Sequence, residues 1–382
     1  MKHLAIITTH PIQYNAPWFR LLAERKKIAI KVFYTWSQVQ TEEKYDPGFG
    51  KNIEWDVPLL EGYDYTFVKN VSKNPGSKTF RGIQNPTLIK EVEVWRADAV
   101  LVFGWKFDGH LRALKYFHKK IPVLFRGDST LLDKETFPKE LIKPYILKNV
   151  FKHVDAALYV GSANKKYFQK AGVEIKQLFF APHAIDNNRF AAANGAEISG
   201  WPERSEKKVT FLYAGKLEDK KDPGLLLSVF AKQKYQHARL VVVGNGPLEK
   251  ELKEKYGHVD NIYFLDFMNQ QLMPSVYKNS DVFILPSKGP GETWGLAVNE
   301  AMACGKPVLV SDRCGCAADL VEEGKTGFTF RSGDAEDLKI KLDWMIQHRD
   351  ELPNMGKRAY EKIQGWSFEK VVTVVEELVV GL

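Results

Sequence analysis

The chain has 382 residues, enough for two or three domains at about 150 residues each. Its 44% hydrophobic and 27% charged residues are typical of a globular protein with a large core, which excludes disordered and fibrous chains. Three cysteines are too few for a disulfide framework, and no apolar run approaches the ~18 residues of a membrane span. The apolar stretch after Met1 is too short for a signal-peptide core, so a cytoplasmic location is expected.

The net charge of +8 is unevenly distributed along the chain. Residues 1–190 contain 30 Lys and Arg against 19 Asp and Glu, whereas the remaining residues contain 25 against 28. The first half either has a well-solvated basic surface or meets an anionic partner, such as a membrane face or a phosphorylated acceptor. Nucleic acid is not an expected partner, because the chain lacks zinc-finger spacing and an RNA-recognition signature.

The first half alternates apolar runs with segments of helical spacing. Strands are predicted at residues 4–8, 28–34, 100–103, 123–125, 157–160 and 178–180. Helices are predicted at residues 16–24, 109–120, 139–153 and 163–171. Residues 36–85 are rich in Gly, Pro, Asn and aromatic residues, which indicates short strands and loops that leave the sheet.

The small and turn-forming residues of 191–206 predict a linker, after which the alternation becomes regular. Strands are predicted at residues 209–214, 240–243, 262–265, 282–285 and 308–310. Helices are predicted at residues 222–233, 247–256, 270–279 and 294–304. Near-continuous apolar strands between helices indicate a parallel sheet covered on both faces. The expected fold class is therefore α/β, with two doubly wound Rossmann-like sheets whose carboxyl ends face a cleft.

The segment 286–327 is the most specific part of the chain. Glu292 lies in a Gly- and Pro-rich loop just before a predicted helix, and Glu300 lies eight residues later inside it. A carboxylate at the end of this loop can accept hydrogen bonds from vicinal hydroxyls, and the N–H groups of the helix start favour a phosphate. Alternatively, one acid is solvated and the other is buried against a backbone partner.

Two lysines, Lys216 and Lys221, flank a turn after strand 209–214, so their ammonium groups can converge on one anion. Cations placed in this way would neutralise the charge that builds on a departing diphosphate. Lys220 is interpreted as a solvated side chain. Gly244-x-Gly246 lacks the third glycine and the acidic residue of a dinucleotide fingerprint, so here the backbone is expected to pass close to a nucleotide or to the Lys216 loop.

No metal site is predicted. Cys304, Cys314 and Cys316 lack the spacing and the fourth ligand of a zinc site, and Cys304 is expected to be buried. No Asp-x-Asp pair, which could hold a divalent ion, occurs in the sequence. A route without a metal is therefore favoured.

Five stretches, in order, resemble the family 4 glycosyltransferases, which are retaining enzymes of the GT-B fold. They are LFFAPHAIDNNRF (178–190), FLYAGKLEDKKDPGLLLSVF (211–230), VVVGNGPLEKEL (241–252), the E-x7-E segment with its Gly-rich turn (286–327), and GWSFEKVVTVVEEL (365–378). The resemblance covers about residues 178–382, and residues 1–177 match only in their general α/β pattern.

The resemblance implies an acceptor-side domain at 1–190, completed by a terminal helix at 366–382, and a nucleotide-sugar-binding domain at 206–365. It implies transfer of a hexosyl group from a nucleoside diphosphate sugar to an acceptor hydroxyl, with retention and without a metal or other cofactor. The expected setting is the synthesis of cell-surface polysaccharide or glycolipid. The acceptor would be a sugar, lipid-linked or anionic molecule, with peripheral contact at the inner membrane face through the basic N-terminal domain.

The resemblance also assigns roles to single residues. Asp128 stands, by strand counting, where many family members have a His that touches the transferred sugar. The predicted catalytic residues are Glu292, Lys221, Lys216 and Asp128. The predicted donor-binding residues are Gly215, Lys216, Lys221, Gly244, Phe267, Met268, Glu292, Thr293, Trp294, Gly295, Leu296 and Glu300, with Trp294 expected to pack rather than stack. The predicted acceptor-side residues are His10, Gln13 and Arg126, with helix capping as the alternative for His10.

Three other kinds of protein fit the same architecture. A nucleotide-sugar epimerase would convert the donor without an acceptor, and a phosphorylase commonly needs pyridoxal phosphate bound to a lysine. A non-catalytic nucleotide-sugar-binding protein would bind the donor without ever releasing free diphosphate.

Overall fold

The computed structural model describes residues 1–40, 45–46, 48–133 and 137–381. The chain divides into two compact units. The first consists of Met1–Lys44, Pro58–His183 and Phe368–Leu382, and the second of Tyr45–Val57 and Ala184–Ser367. Residues 45–57 fall within the predicted acceptor-side domain, but in the structure they pack with the second unit.

Strands and helices are numbered along the whole chain. The strands are β1 (His3–Thr8), β2 (Ala29–Tyr34), β3 (Tyr45–Asp46), β4 (Lys51–Asn52), β5 (Asp64–Phe67), β6 (Ala99–Phe103), β7 (Val123–Arg126), β8 (Ala156–Tyr159), β9 (Leu178–Phe180), β10 (Val209–Ala214), β11 (Ala238–Val243), β12 (Ile262–Leu265), β13 (Val282–Leu285), β14 (Val308–Ser311) and β15 (Gly327–Phe330). The helices are α1 (Ala16–Arg25), α2 (Leu88–Val94), α3 (Asp108–Phe117), α4 (Lys139–Phe151), α5 (Ser162–Lys170), α6 (Asn187–Ala191), α7 (Pro223–Gln233), α8 (Glu249–Tyr256), α9 (Met273–Lys278), α10 (Leu296–Ala303), α11 (Ala317–Leu320), α12 (Ala335–Gln347), α13 (Leu352–Ile363) and α14 (Phe368–Val380).

The first unit is built on a parallel sheet with the strand order β5-β2-β1-β6-β7-β8-β9. Leu4 to Ile7 of the central strand β1 are fully buried, as expected for a strand covered on both faces. Helix α14 belongs to this unit, where the Glu376 carboxylate pairs with the Arg25 guanidinium of α1 at 2.9 Å.

The second unit is built on a second parallel sheet with the order β12-β11-β10-β13-β14-β15. The chain runs outwards from β10 to β12 on one side and from β13 to β15 on the other. The order therefore reverses between β10 and β13, and such a switch point opens a crevice at the carboxyl ends of the two strands.

The two parallel sheets confirm the predicted fold class. All predicted strands form within two residues of their expected bounds, and the predicted helices form within three. The sequence pattern did not reveal β5, β15, α2, α12 or α13. Among the described residues, no helix combines the length and apolar character needed to cross a membrane.

Candidate functional site

The loops that follow β10 and β13 meet at the switch point of the second sheet. The backbone N–H groups of Lys288 and Gly289 donate to the Lys220 carbonyl at 2.9 and 3.2 Å. Because the backbones of the two loops are joined in this way, side chains close to this junction come together. The arrangement brings Lys221 of the first loop onto Glu292 of the second.

Lys221 and Glu292 form an ion pair with side chains that are 19% and 8% exposed. The same carboxylate oxygen of Glu292 also accepts a hydrogen bond from the Ser287 hydroxyl at 3.0 Å. Ser287 is itself held, because the Ser311 hydroxyl donates to its carbonyl. A buried carboxylate with two such partners has a fixed orientation. Ser287 was missed in the sequence, although it lies in the same loop as Glu292.

The backbone around Glu292 is fixed by a second loop, which follows β14. The N–H of Gly315 donates to the Glu292 carbonyl at 3.1 Å, and the N–H of Cys316 donates to the Trp294 carbonyl at 3.0 Å. A side chain at position 315 would place its Cβ 1.8 Å from the carbonyl oxygen of Thr293, so only glycine fits. This glycine therefore allows the close approach that shapes the loop.

Helix α10 begins directly after this loop, at Leu296, with Gly295 as its N-cap. Trp294 is 3% exposed and donates its indole N–H to the Asn299 side chain at 2.8 Å, so it packs as expected. Glu300 is 3% exposed and accepts a hydrogen bond from the Tyr277 hydroxyl at 2.7 Å. The alternative of one solvated acid and one buried acid is therefore wrong, because both glutamates are buried, and Glu300 has a side-chain partner.

Lys216 contacts the segment 45–57, a connection that the sequence did not suggest. Its ammonium lies 4.9 Å from the centroid of the Phe49 ring, and Gly48 packs against its alkyl chain. The Tyr213 hydroxyl donates to the Lys216 carbonyl at 2.6 Å and holds the backbone at the end of β10. Lys216 thus lies beside an aromatic ring, whereas Lys221 lies beside a carboxylate.

The Gly244-x-Gly246 turn packs on the Lys216 loop, which confirms one of its two interpretations. A Cβ at Gly244 would lie 2.2 Å from the Gly215 carbonyl, and one at Gly246 would lie 2.5 Å from the Leu217 carbonyl. The φ of Gly244 is +133°, which also favours glycine. The backbones of two neighbouring loops can therefore touch at the carboxyl end of the sheet.

Asn245, inside this turn, positions the loop after β12. Its side-chain NH2 group donates to the Asp266 carboxylate at 3.0 Å, and its side-chain oxygen accepts a hydrogen bond from the backbone N–H of Phe267 at 2.8 Å. The half-buried Phe267 ring lies 4.7 Å from Phe49 and 6.3 Å from Trp55, both of the segment 45–57. The next residue, Met268, is also half-buried. Three aromatic rings therefore cluster beside two of the predicted donor-binding residues, Phe267 and Met268.

In the first unit, Arg126 ends β7 and is 4% exposed. It donates to the carbonyls of Ala181 and Pro182 at 2.7 and 2.9 Å. The predicted contact with an acidic acceptor does not fit this position, because the buried guanidinium is bonded to the protein's own backbone. Arg126 instead holds the chain that follows β9.

Asp128 lies 3.6 Å from the ring of His183, measured between Oδ2 and Nε2, and the side chains are 48% and 21% exposed. Burial lowers the pKa of His183, the neighbouring Arg126 acts in the same direction, and Asp128 opposes both. His183 was missed in the sequence. It lies within the stretch 178–190 that resembles the family 4 glycosyltransferases.

The other two predicted acceptor-side residues follow β1. His10 lies edge-on to the Trp36 ring at 5.5 Å, and its Nδ1 is 2.9 Å from the Thr9 hydroxyl. Burial lowers the pKa of His10. Helix α1 begins at Ala16 with Asn15 as its N-cap, so the alternative that His10 caps this helix is wrong. Gln13 lies in the turn before the helix.

The cysteines are all buried, which for Cys304 was expected. Burial raises the pKa of Cys304 and of Cys314 to about 12. Within the part of the chain that the structure describes, no three His, Cys, Asp or Glu side chains are grouped as metal ligands.

Comparison with known proteins adds an independent observation. Residues 197–362 match the family model described as glycosyl transferases group 1, and this range includes Lys216, Lys221 and Glu292. The match confirms the resemblance to the family 4 glycosyltransferases that the sequence motifs indicate.

Two curated proteins are similar to this chain. The chain is 27% identical over 313 residues to sulfoquinovosyl transferase SQD2 of Arabidopsis thaliana, which covers 76% of this chain and 58% of the relative. It is 26% identical over 170 residues to a phosphatidyl-myo-inositol mannosyltransferase of Mycobacterium leprae, which covers 44% of each chain. The chain thus spans only about half the length of these relatives.

The fold of this chain is also found among solved structures. Alr3699/HepE of Anabaena, crystallised in complex with UDP, matches with a TM-score of 0.72 over 100% of both chains at 17% identity. At this identity the likeness concerns the fold alone, which is the GT-B fold that the sequence predicts.

Proposed function

We propose that this protein is a glycosyltransferase that moves a hexosyl group from a nucleoside diphosphate sugar to an acceptor hydroxyl. The observation that carries the proposal is the Lys221–Glu292 pair at the switch point of a group 1 glycosyltransferase domain. Two features of similar proteins agree with it. The Arabidopsis relative is named as a sulfoquinovosyl transferase, and the similar Anabaena structure contains UDP.

Departure of the diphosphate is the step in which these side chains would act. As the bond between the anomeric carbon and the phosphate oxygen breaks, negative charge collects on the diphosphate. Lys221 is 19% exposed, so its attraction for this charge is less weakened by water than that of a surface lysine. Lys216, at the end of the neighbouring loop, would supply a second cation. The N–H groups at the start of α10 would add hydrogen bonds.

Glu292 would contact the sugar while Lys221 turns to the phosphate. Its carboxylate would then accept hydrogen bonds from sugar hydroxyls, with Ser287 keeping its orientation. Glu300 is proposed to reach the ribose, and the ring cluster around Phe267 is proposed to meet the base. Each contact would require donor binding to rearrange the present partners of these side chains.

Retention of configuration is proposed from the resemblance to the family 4 enzymes. The acceptor hydroxyl would attack the face from which the diphosphate leaves, and the leaving phosphate oxygen would take the hydroxyl proton. Independence from metal is proposed because lysines and backbone amides would supply the positive charge that a divalent ion otherwise provides.

The first unit is proposed to bind the acceptor, with Asp128, His10 and Gln13 near it. An anionic or lipid-linked acceptor, in polysaccharide or glycolipid synthesis, would suit the basic first half of the chain. The mycobacterial relative is named for phosphatidyl-myo-inositol, which is both anionic and a lipid. The same charge supports peripheral contact with the inner, anionic face of a membrane.

A panel of nucleotides and nucleotide sugars, followed by thermal unfolding, tests the donor site. A ligand at about 100 times its Kd should stabilise the fold by about 2.7 kcal/mol and raise the Tm by several degrees. The bound donor, incubated with candidate acceptors, should then release nucleoside diphosphate. No shift with any nucleotide would contradict the proposal. A shift without release, whatever the acceptor, would indicate a binding protein, and donor conversion without acceptor would indicate an epimerase.

A further inference from the structure

Helix α4 of the first unit presents large apolar side chains to solvent. The exposed fractions are 80% for Phe137, just before the helix, 60% for Leu141, 53% for Ile142, 78% for Tyr145 and 46% for Ile146. Side chains of this kind are usually inside a protein, and a contiguous exposed group of them marks an interaction site.

These five residues form one continuous stripe, which we call the α4 face. Phe137, Leu141 and Tyr145 are spaced four apart, as are Ile142 and Ile146, so they share one side of the first two turns. The opposite side packs inwards through Leu147, Val150 and Phe151, which are at most 5% exposed. The helix is therefore anchored by its second half, and the α4 face is not needed for packing.

Lysines continue the outward side of the helix beyond the α4 face. Lys148 and Lys152 are exposed and follow Tyr145 at helical spacing. The ring of His153 lies 5.0 Å from that of His118. Burial lowers the pKa of His153, and the neighbouring His118 and the lysines at 152, 115 and 119 act in the same direction.

The positive charge of the chain is concentrated in the part of the sequence that contains this helix. Residues 105–176 contain 15 Lys and Arg against seven Asp and Glu, an excess of eight that equals the net charge of the whole protein. Apolar side chains beside such an excess of cations match a surface that is apolar inside and anionic outside. An anionic lipid bilayer has this profile.

We propose that the α4 face inserts into the interfacial region of an anionic bilayer, while Lys148, Lys152 and the lysines at the end of α3 bind lipid headgroups. Two weak signals, apolar insertion and electrostatic attraction, together give a stable but reversible attachment. The inference rests on the membrane contact of the proposed function but not on glycosyl transfer. The charge excess favours lipid over a second copy of the chain, because two such basic surfaces would repel each other.

Flotation of the full chain with vesicles tests the surface. Vesicles of phosphatidylcholine with 30% phosphatidylglycerol should bind the protein at least tenfold better than pure phosphatidylcholine, and salt should weaken the binding. The double variant Leu141→Gln/Tyr145→Gln should lose at least tenfold in partitioning. Its matched control, Val94→Gln/Ile175→Gln, removes two equally exposed apolar side chains of the same unit (73% and 74%) and should stay within twofold.

A charge variant separates the two parts of the attachment. Lys148→Gln/Lys152→Gln should weaken binding to the anionic vesicles severalfold and leave the weak binding to pure phosphatidylcholine unchanged. The control Lys250→Gln/Lys255→Gln, on exposed positions of the second unit, should bind like the wild type. All four variants change exposed side chains, and an unchanged Tm would show that they fold.

Three results would overturn the inference. Equal vesicle binding by the wild type and the Leu141→Gln/Tyr145→Gln variant would mean that another surface contacts the membrane. A dimer in light scattering that the α4 variant disrupts would make the face a contact between copies of the chain. Absence of vesicle binding by the wild type would remove the proposed membrane contact altogether, whereas the nucleotide-induced Tm shift would still support the donor site.

Discussion

The loop after β13 in the second unit and the loop after β7 in the first both follow the carboxyl ends of interior strands of a parallel sheet. In the loop after β13, Glu292 is paired with the side chains of Lys221 and Ser287. Arg126, the last residue of β7, is bonded to backbone carbonyls, and Asp128 in the loop that follows faces His183. The first loop therefore pairs charged side chains with each other, whereas the arginine at the end of β7 holds the chain that follows β9.

The difference shows that position in the fold does not assign a role to a charge. A lysine that pairs with a carboxylate can exchange that partner for an anionic ligand. A buried arginine with backbone partners cannot, because its departure would leave buried carbonyls without donors. Substitutions should therefore affect activity in the second unit and stability in the first.

Glu292→Gln tests the largest expected effect. The neutral amide would no longer balance Lys221 and would hold sugar hydroxyls less strongly, so transfer should fall by about 10²–10³-fold. Initial rates with a radiolabelled donor measure the loss, and thermal unfolding should show a folded protein. The control Glu254→Gln changes a side chain that is 69% exposed and should leave the rate unchanged. Retained turnover in Glu292→Gln would show that this carboxylate is not needed for transfer.

Lys221→Ala and Lys220→Ala compare two neighbouring lysines of the loop after β10. Lys221 is 19% exposed and paired with the buried Glu292, whereas Lys220 is 40% exposed and lies 3.4 Å from Glu218. Loss of a cation at the diphosphate should lower kcat by roughly 100-fold in the first variant, and the second should keep near-normal turnover. Equal losses in both variants would mean that the loop, rather than one ammonium group, is responsible.

Arg126→Ala should act on folding. Removing a 4% exposed guanidinium leaves the carbonyls of Ala181 and Pro182 without their donors, at a cost of about 3 kcal/mol in the free energy of unfolding. Urea denaturation measures it, with Arg112→Ala, whose side chain is 65% exposed, as the control. If Arg126→Ala lost activity without a change in the unfolding midpoint, Arg126 would have to contact the acceptor rather than stabilise the fold.

Ser287→Ala should have a smaller effect. The hydroxyl contributes one hydrogen bond to the Glu292 carboxylate, worth about 1 kcal/mol, so kcat/KM should fall by about fivefold. The exposed Ser77→Ala serves as the control. A loss as large as that of Glu292→Gln would show that Ser287 contacts the substrate itself.

Chelation should have no effect. If lysines and backbone amides neutralise the diphosphate, transfer after dialysis against EDTA should equal that of the untreated enzyme. A loss that added magnesium or manganese reverses would contradict the proposed metal independence.

The regular elements followed from local pattern. Strand β10 and strand β13 form at their predicted bounds because an unbroken apolar run of this length is stable only when both faces are covered. Strand β5 escaped prediction because it reads Asp-Tyr-Thr-Phe, a half-exposed edge strand inside a loop-rich stretch. Parallel pairing with β2 stabilises β5, although its sequence has no continuous apolar run.

By itself, the sequence determined the fold class, the family of the C-terminal half and the candidate residues Lys216, Lys221 and Glu292, because these depend on short-range patterns. The tertiary structure alone decided which of them meet. In the structure, Lys221 pairs with Glu292, and the Arg126 guanidinium binds backbone carbonyls. His183 lies beside Asp128, and the Phe49 ring lies beside the Lys216 ammonium. Each of these contacts joins residues far apart in the chain, and only the strand order of a folded sheet sets such distances.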